Sequence, residues 1–396
     1  MSLLDAGCKV SGICPAGHPL RVVTGVDSIY PYRALNSIGS LKAAIRAAKP
    51  DVVVPCDDAA VWQLHALHAE EPEFRPLIER SLGACEAYPT IESRSLTLQA
   101  ARDAGITVPL TRAIRSAGEL CAEDLEWPAV LKLDGTWGGA GVARVHSSPH
   151  AADVFPRLCG ARRTAIMWKH FLAKRHPAAL WVWRRRKGSP ATLQKFISGR
   201  EATTMLVCWQ GEVLDSVAVA VRATQGQNGV GTILEPIENE EIERASRELA
   251  RSLKLSGFHG LDFIIEETTG IPYLIELNPR ATQLGHLPLT ARGSLASVFA
   301  ARLSGRTIPA GARRIQSETI AMFPHAWKTD PRSEVLRTGY HDVPWEQPQL
   351  VRELLRIPWP ERRLLNRALN FLQFLILRDE RHPDPPGDRD HAPLPS

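Results

Sequence analysis

Asp262, Glu276, Asn278 and Arg280 are of the residue types that manage a metal ion beside phosphate, and their spacing lets them act together. They fall in LDFIIEETTGIPYLIELNPR, where residues 261–265 and 273–277 are β-branched and aromatic-rich runs separated by a polar Thr-Thr-Gly turn. A hairpin folded about Thr269 sets Asp262 directly opposite Glu276, and paired Cβ atoms lie about 4.5–5.5 Å apart. Side chains along a strand repeat every second residue, so Glu276, Asn278 and Arg280 share a face. Two carboxylates that close repel unless a cation lies between them, and Mg2+ favours hard oxygen donors. A guanidinium beside them suits an anionic, phosphate-bearing substrate. The competing explanation is an ordinary surface hairpin with one wet face.

A second segment weakens that explanation. Residues 127–145, WPAVLKLDGTWGGAGVARV, read as a strand carrying Lys132, a glycine-rich turn and a second strand. Gly138, Gly139 and Gly141 leave backbone N–H groups able to close over phosphate oxygens, and Lys132 supplies a point charge. The segment is not a Walker A loop, because no Gly-Lys-Ser/Thr follows the glycines. Alone it would pass for a plain hairpin turn. What counts is the order: strand lysine, glycine loop, then an acidic hairpin ending in Asn-Pro-Arg.

With these segments the chain resembles the ATP-grasp superfamily, in its carbamoyl-phosphate-synthase-like and biotin-carboxylase-like branch. Four segments match in order across residues 93–288. In SRSLTLQAARDAGITVP, Arg94 stands where the family usually has a lysine, eleven residues before Gly105. Arginine keeps the charge, but its planar fork is not a lysine. The second segment is the Lys132 strand with its glycine loop, where Ala140 replaces a basic residue common in relatives. The third, LQKFISGREAT, resembles the hinge between the two nucleotide-holding lobes. There Gln194, Lys195, Phe196 and Ile197 match the adenine edge, and Glu201 matches an acidic residue that contacts ribose. In the fourth, Asp262, Glu276 and Asn278 match the metal ligands and Arg280 the phosphate-binding arginine. The resemblance implies ATP and Mg2+ (or Mn2+) as cofactors. It implies a ligase that activates a carboxylate as an acyl phosphate for an amine or similar nucleophile. Two alternatives stay open: a carboxylase working through carboxyphosphate, and a non-catalytic nucleotide-binding module that regulates a partner.

The elements that must position these groups are α/β. Residues 9–14 and 51–55 read as buried strands, with helices over 40–48 and 59–69. This part resembles the Rossmann-like wing that precedes ATP-grasp domains. The expected organisation is a wing over 1–90, lacking its first strand through a misplaced start codon or genuine shortening. An ATP-grasp domain follows over 91–310, with lobes 91–192 and 193–310. A C-terminal helical extension over 311–382 and a disordered tail over 383–396 complete the chain. Cys56, Asp57 and Asp58 follow the second strand, at a sheet edge where ligand sites collect, though Asp58 is favoured as a simple cap of the helix beginning at Ala59. His65 and His68 share a helix face without the acidic partner of a zinc-protease motif, and are expected on a solvated face. Arg222 reads as a carboxylate grip or a surface ion-pair residue, Gln283 as a substrate neighbour, and His286 as a base or a structural histidine.

Composition narrows the class. With 396 residues and 44% hydrophobic content the chain can bury two or three cores. A net charge of +5 suits acidic small molecules and does not imply nucleic acid. Seven scattered cysteines without a CxxC pair read as reduced thiols, with neither disulfide framework nor structural zinc site. Without a secretory pattern or a spanning apolar run, the expectation is a cytoplasmic protein acting on small molecules, with homodimerisation open. The basic–aromatic segment 168–187 and the apolar-faced basic helix 361–378 either dock on the body or touch an anionic membrane surface.

Overall fold

The computed structural model describes residues 1–121, 126–133, 141–159, 191–226, 229–308, 315 and 317–356. Gly138, Gly139, Ala140 and the segments 168–187, 361–378 and 383–396 lie outside the described residues.

Three sheets organise the chain. A two-stranded parallel pair joins β1 (Ser11–Cys14) to β2 (Ser28–Pro31). A four-stranded sheet is built from β3 (Thr111–Ile114), β4 (Ala129–Leu133), β5 (Val142–Val145) and β6 (Ala191–Lys195), in the order β3-β6-β4-β5. The largest sheet takes β7 (Gly199–Trp209), β8 (Glu212–Thr224), β9 (Gly231–Pro236), β10 (Gly257–Glu266), β11 (Pro272–Asn278), β12 (Ile320–Met322) and β13 (Tyr340–Asp342). Its order is β11-β10-β7-β8-β9-β12-β13, so the sheet continues past residue 310.

Period-two alternation explains why the large sheet is covered on both faces. On β7, Ala202, Leu206 and Cys208 pack into one core with the helices Arg94–Asp103 and Glu240–Ser252. Met205 and Val207 point the other way, into a core closed by the Leu295–Leu303 helix. Successive strand side chains must alternate, and here each set meets an apolar partner. The four-stranded sheet packs Leu131, Leu133 and Leu193 against the Ser148–Cys159 helix.

The wing departs from its sequence reading at three points. Residues 51–55 join no sheet. Instead they run between two cores: Val52 and Val54 pack against the large-sheet core, and Val53 against the wing core of Ile45, Leu64, Leu67 and Ile78. An apolar run satisfied on both sides reads like a buried strand, which is why period and composition did not separate the two. The helix expected over 59–69 spans Asp58–Glu70, and its cap is Asp57, whose Oδ1 accepts from Ala60 N at 2.8 Å. Asp58 is therefore not the cap. The two histidines are not on a solvated face either: His65 is 5% exposed and stacks on Tyr88, and His68 meets the same ring edge-on.

Candidate functional site

The hairpin of β10 and β11 is antiparallel and pairs Asp262 with Glu276, and Gly260 with Asn278. A bulge sets that register. From the turn, Ile265 faces Pro272, Ile264 faces Tyr273 and Phe263 faces Leu274; Ile275 is then the extra residue, and Glu276 comes level with Asp262. Without it the turn's own register would oppose Asp262 to Ile275. On its other side β10 pairs with β7, placing Thr203 beside Asp262.

Side chains across this patch form a chain of bonds. Asn278 Nδ2 donates to Asp262 Oδ2 at 2.8 Å, and Arg280 Nη2 donates to Asn278 Oδ1 at 3.3 Å. Arg280 Nε donates to Asp58 Oδ1 at 3.0 Å, so the first residue of a wing helix reaches the hairpin. From another direction Arg94 Nη2 donates to Glu276 Oε1 at 2.6 Å and its Nη1 to Leu133 O at 3.4 Å. Arg94 owes its place to a helix start: Ser93 Oγ accepts from Leu96 N, which makes Arg94 the first residue of its helix.

Burial and neighbouring charge act differently on the two carboxyls of the patch. Burial and then the neighbouring Glu276 push Asp262 up to about 6, against hydrogen bonds from Thr203 and Asn278. Burial works in the same direction on Glu276, but Arg94 and Lys132 overcome it and hold that carboxyl below its ordinary value. Lys132, 7% exposed on β4, is lowered to about 8 by burial, with Glu276 pulling the other way. Two adjacent carboxylates and an amide oxygen are hard donors of the kind a Mg2+ site uses, so the residues fit the ion.

The rest of the expected cleft lies around β6 and the passage into β7. Gln194 is buried with Nε2 lacking a hydrogen-bond partner, and Thr192, two residues earlier, buries an unpartnered Oγ1. Buried polar atoms left unmade are costly, so both fit a pocket that a polar ligand completes. Lys195 is exposed and pairs through Nζ with Glu126 at 2.6 Å, and Phe196 lies under the Arg144 guanidinium at 3.8 Å. Ile197 is partly buried and Glu201 exposed. Glu201 still lies near enough for its charge to act on Lys132. Gly141, the described end of the glycine loop, accepts from Leu133 N at 2.8 Å.

The patch thus gathers Asp262, Glu276, Asn278, Arg280, Arg94 and Lys132. Arg222 does not join it: its Nε pairs with Glu235 at 3.0 Å, the surface ion pair. Gln283 Nε2 donates to Gly231 O at 3.3 Å, and His286 Nε2 lies 2.7 Å from Asp342 Oδ2. Asp58 and Thr203 were missed as site residues. Their partners are distant in sequence, and only Asp58's place after an apolar segment hinted at a ligand edge.

Comparison with known proteins shows what this geometry is similar to. Residues 181–283 match the family model of an ATP-grasp domain. That stretch of the chain is similar to an ATP-grasp domain. The chain is similar to the carbamoyl phosphate synthase large chain of Methanothermobacter thermautotrophicus, 22% identical over 296 residues, covering 70% of this chain and 25% of that one. The chain therefore spans about a quarter of the length of that relative. Among solved structures, carboxyaminoimidazole ribonucleotide synthase from Aspergillus clavatus, complexed with ATP, superposes with a TM-score of 0.57 at 18% identity, covering 80% of this chain and 76% of that one. The biotin carboxylase domain of the Hydrogenobacter thermophilus 2-oxoglutarate carboxylase gives 0.56 at 13%, covering 78% and 67%. L-amino acid ligase from Bacillus licheniformis gives 0.54 at 14%, covering 78% and 74%. At these identities the likeness establishes the ATP-grasp fold. Among the described residues no helix is long and apolar enough to cross a membrane.

Proposed function

We propose that this protein is an ATP- and Mg2+-dependent ligase that activates a small carboxylic acid as an acyl phosphate for attack by an amine or similar nucleophile. One observation carries the reading: Asp262 and Glu276 oppose each other beside Asn278, with the cations of Arg94, Lys132 and Arg280 around them. The proteins it resembles support it, since their names include a carboxyaminoimidazole ribonucleotide synthase, a biotin carboxylase domain and an amino acid ligase. The chain divides, on this reading, into a wing over 1–90 and two nucleotide-holding lobes, one over 91–192 and one from 193 that takes in β12 and β13 beyond the expected boundary at 310, working in the cytoplasm.

Asp262, Glu276 and Asn278 would hold Mg2+, which when bound neutralises charge on the β- and γ-phosphates. Lys132 and Arg94 hold phosphate oxygens, Arg94 by giving up Glu276. Thr192 and Gln194 supply polar atoms at the nucleotide end, next to the hinge residues Lys195, Phe196 and Ile197, and Glu201 meets the ribose. Gly138, Gly139 and Gly141 contribute backbone N–H groups that exclude water. A carboxylate oxygen of the acid bonds to the γ-phosphorus as the bond to the β–γ bridging oxygen breaks. Arg280 stabilises the charge on the transferred group. The nucleophile's nitrogen then attacks the acyl carbon, phosphate departs with the acid's oxygen, and the nitrogen's proton passes to solvent.

The test is phosphate release from ATP with Mg2+, screened across carboxylic acids (bicarbonate included) crossed with amines. Turnover that requires both partners and vanishes in Glu276→Ala supports the ligase. Turnover requiring bicarbonate in place of an organic acid moves the protein to the carboxylase class. Nucleotide binding with turnover indifferent to every acceptor and to Glu276→Ala contradicts catalysis altogether.

A further inference from the structure

Away from the nucleotide cleft, His68, Glu79 and Cys85 offer an imidazole nitrogen, a carboxylate oxygen and a thiol sulfur that all lie within 4.8 Å of one another. They come from three places in the wing: the last turn of the Asp58–Glu70 helix, the Arg75–Leu82 helix, and the turn that follows it. His68 Nε2 is 2.6 Å from Glu79 Oε1, so the imidazole already presents that nitrogen to the group.

The scaffold around them is fixed. Tyr88 packs edge-on against His68 at 5.4 Å and stacks on His65 at 3.9 Å, and its hydroxyl donates to Gly83 O at 3.1 Å. His65 is held in turn by Glu92 at 2.9 Å. Arg75 Nε donates to His68 O at 3.0 Å, tying the two helices together at the same end. Gly83, with φ +103, turns the chain out of the helix, and its neighbour Ala84 N donates to Lys254 O at 3.2 Å. His68 is 12% exposed and Glu79 44%, so the donors are held from one side while solvent reaches the other.

We propose that His68, Glu79 and Cys85 form a mononuclear zinc site that leaves one coordination position to water or an outside ligand. The donor set is right for zinc: borderline-soft Zn2+ takes thiolate at about 2.3 Å, imidazole at about 2.0–2.1 Å and carboxylate at about 2.0–2.2 Å, whereas Mg2+ and Ca2+ avoid thiolate and imidazole. Tetrahedral binding spreads such donors to about 3.3–3.7 Å, so His68 and Glu79 part by under about 1 Å when the ion replaces their hydrogen bond. Binding takes the Cys85 thiol proton, which passes to the buffer. The ion would lock two wing helices to the turn through which the chain leaves the wing. No CxxC or HxxxH spacing announces the site, because its donors meet only through the packing of two helices. The site is independent of the ligase reading, which can stand or fall without it.

The test uses the full chain stripped with a chelator. Zn2+ is titrated against a chromophoric chelator, and Co2+ serves as the spectroscopic probe. The proposal expects one tight equivalent and a near-ultraviolet thiolate-to-cobalt charge-transfer band. The band disappears in Cys85→Ser, affinity drops by at least about tenfold in His68→Ala and in the isosteric Glu79→Gln, and Cys56→Ser keeps both. Cobalt held by the Asp262 and Glu276 carboxylates gives no thiolate band, so the two sites cannot be confused. Binding of equal affinity in Cys85→Ser, His68→Ala and Glu79→Gln would mean an adventitious ion only and overturn the proposal, as would the absence of a thiolate band in the unaltered protein.

Discussion

Lys132 and Asp262 carry the site's pH signature at the residue scale. Lys132, lowered to about 8 by burial, keeps its charge below that pH and loses it above. Asp262, raised to about 6 by burial and Glu276, is neutral below that pH and anionic above. Affinity of the free protein for magnesium nucleotide should therefore rise as pH passes 6, hold, and fall beyond 8. Lys132→Arg should remove the alkaline limb, because a guanidinium stays charged throughout. Calorimetric binding from about pH 5 to 9 checks this, and a flat profile would detach these two residues from the ligand. Stability runs the opposite way at Asp262. A carboxyl whose folded pKa is raised stabilises most when protonated, so Asp262's contribution is lost as pH rises through 6, and Mg2+ should restore it.

The identities of these residues were legible because hard donors at alternate strand positions are an uncommon pattern, and the order of segments made it specific. Asp58 was not legible in the same way. One aspartate before a helix looks like a cap, and only the fold shows that Asp57 caps while Asp58 meets Arg280.

At the scale of elements, the hairpin's function depends on strands that are far apart in the chain. The turn alone would have aligned Asp262 with Ile275, and a bulge brings Glu276 level. A symmetric fold about Thr269 reached the same pairing with no knowledge of the bulge. Sequence spacing located the partner residues, while the route to their register came from packing. The strand after the hinge has a tighter constraint. A Cβ on Gly199 would come within 2.1 Å of Ile265 O on β10, a backbone atom that cannot step aside. Gly199→Ala should cost about 1–3 kcal/mol in urea unfolding and weaken nucleotide binding, since the hinge leads straight into that contact. Unchanged stability would show that the two strands can part there without cost. Residues 51–55 teach the complementary lesson, since an apolar run pressed between two cores meets every sequence criterion of a strand but makes no ladder.

At the scale of the whole molecule, the site is shared among three parts of the chain. Arg94 and Lys132 approach the hairpin from one side, and Asp58 reaches Arg280 from the wing, while Ala281 N donates to Pro55 O at 3.0 Å beside it. Asp58→Asn keeps the shape but removes the charge that orients Arg280. It should lower kcat/KM on the order of 10–100-fold while leaving magnesium-nucleotide affinity near that of the parent. An equal loss of nucleotide affinity would place Asp58 in nucleotide binding instead. Such contacts across 222 residues of sequence leave no local trace, which is why the α/β architecture and the ATP-grasp resemblance were readable but the joining of wing to hairpin was not.

The account stands most directly on the fate of one oxygen atom. With the acid identified by the screen and labelled with 18O in its carboxylate, the inorganic phosphate released during ligation should carry one labelled oxygen, and Glu276→Ala should release none. Phosphate that takes its new oxygen from water, or label that appears in AMP, would contradict an acyl phosphate formed at this site.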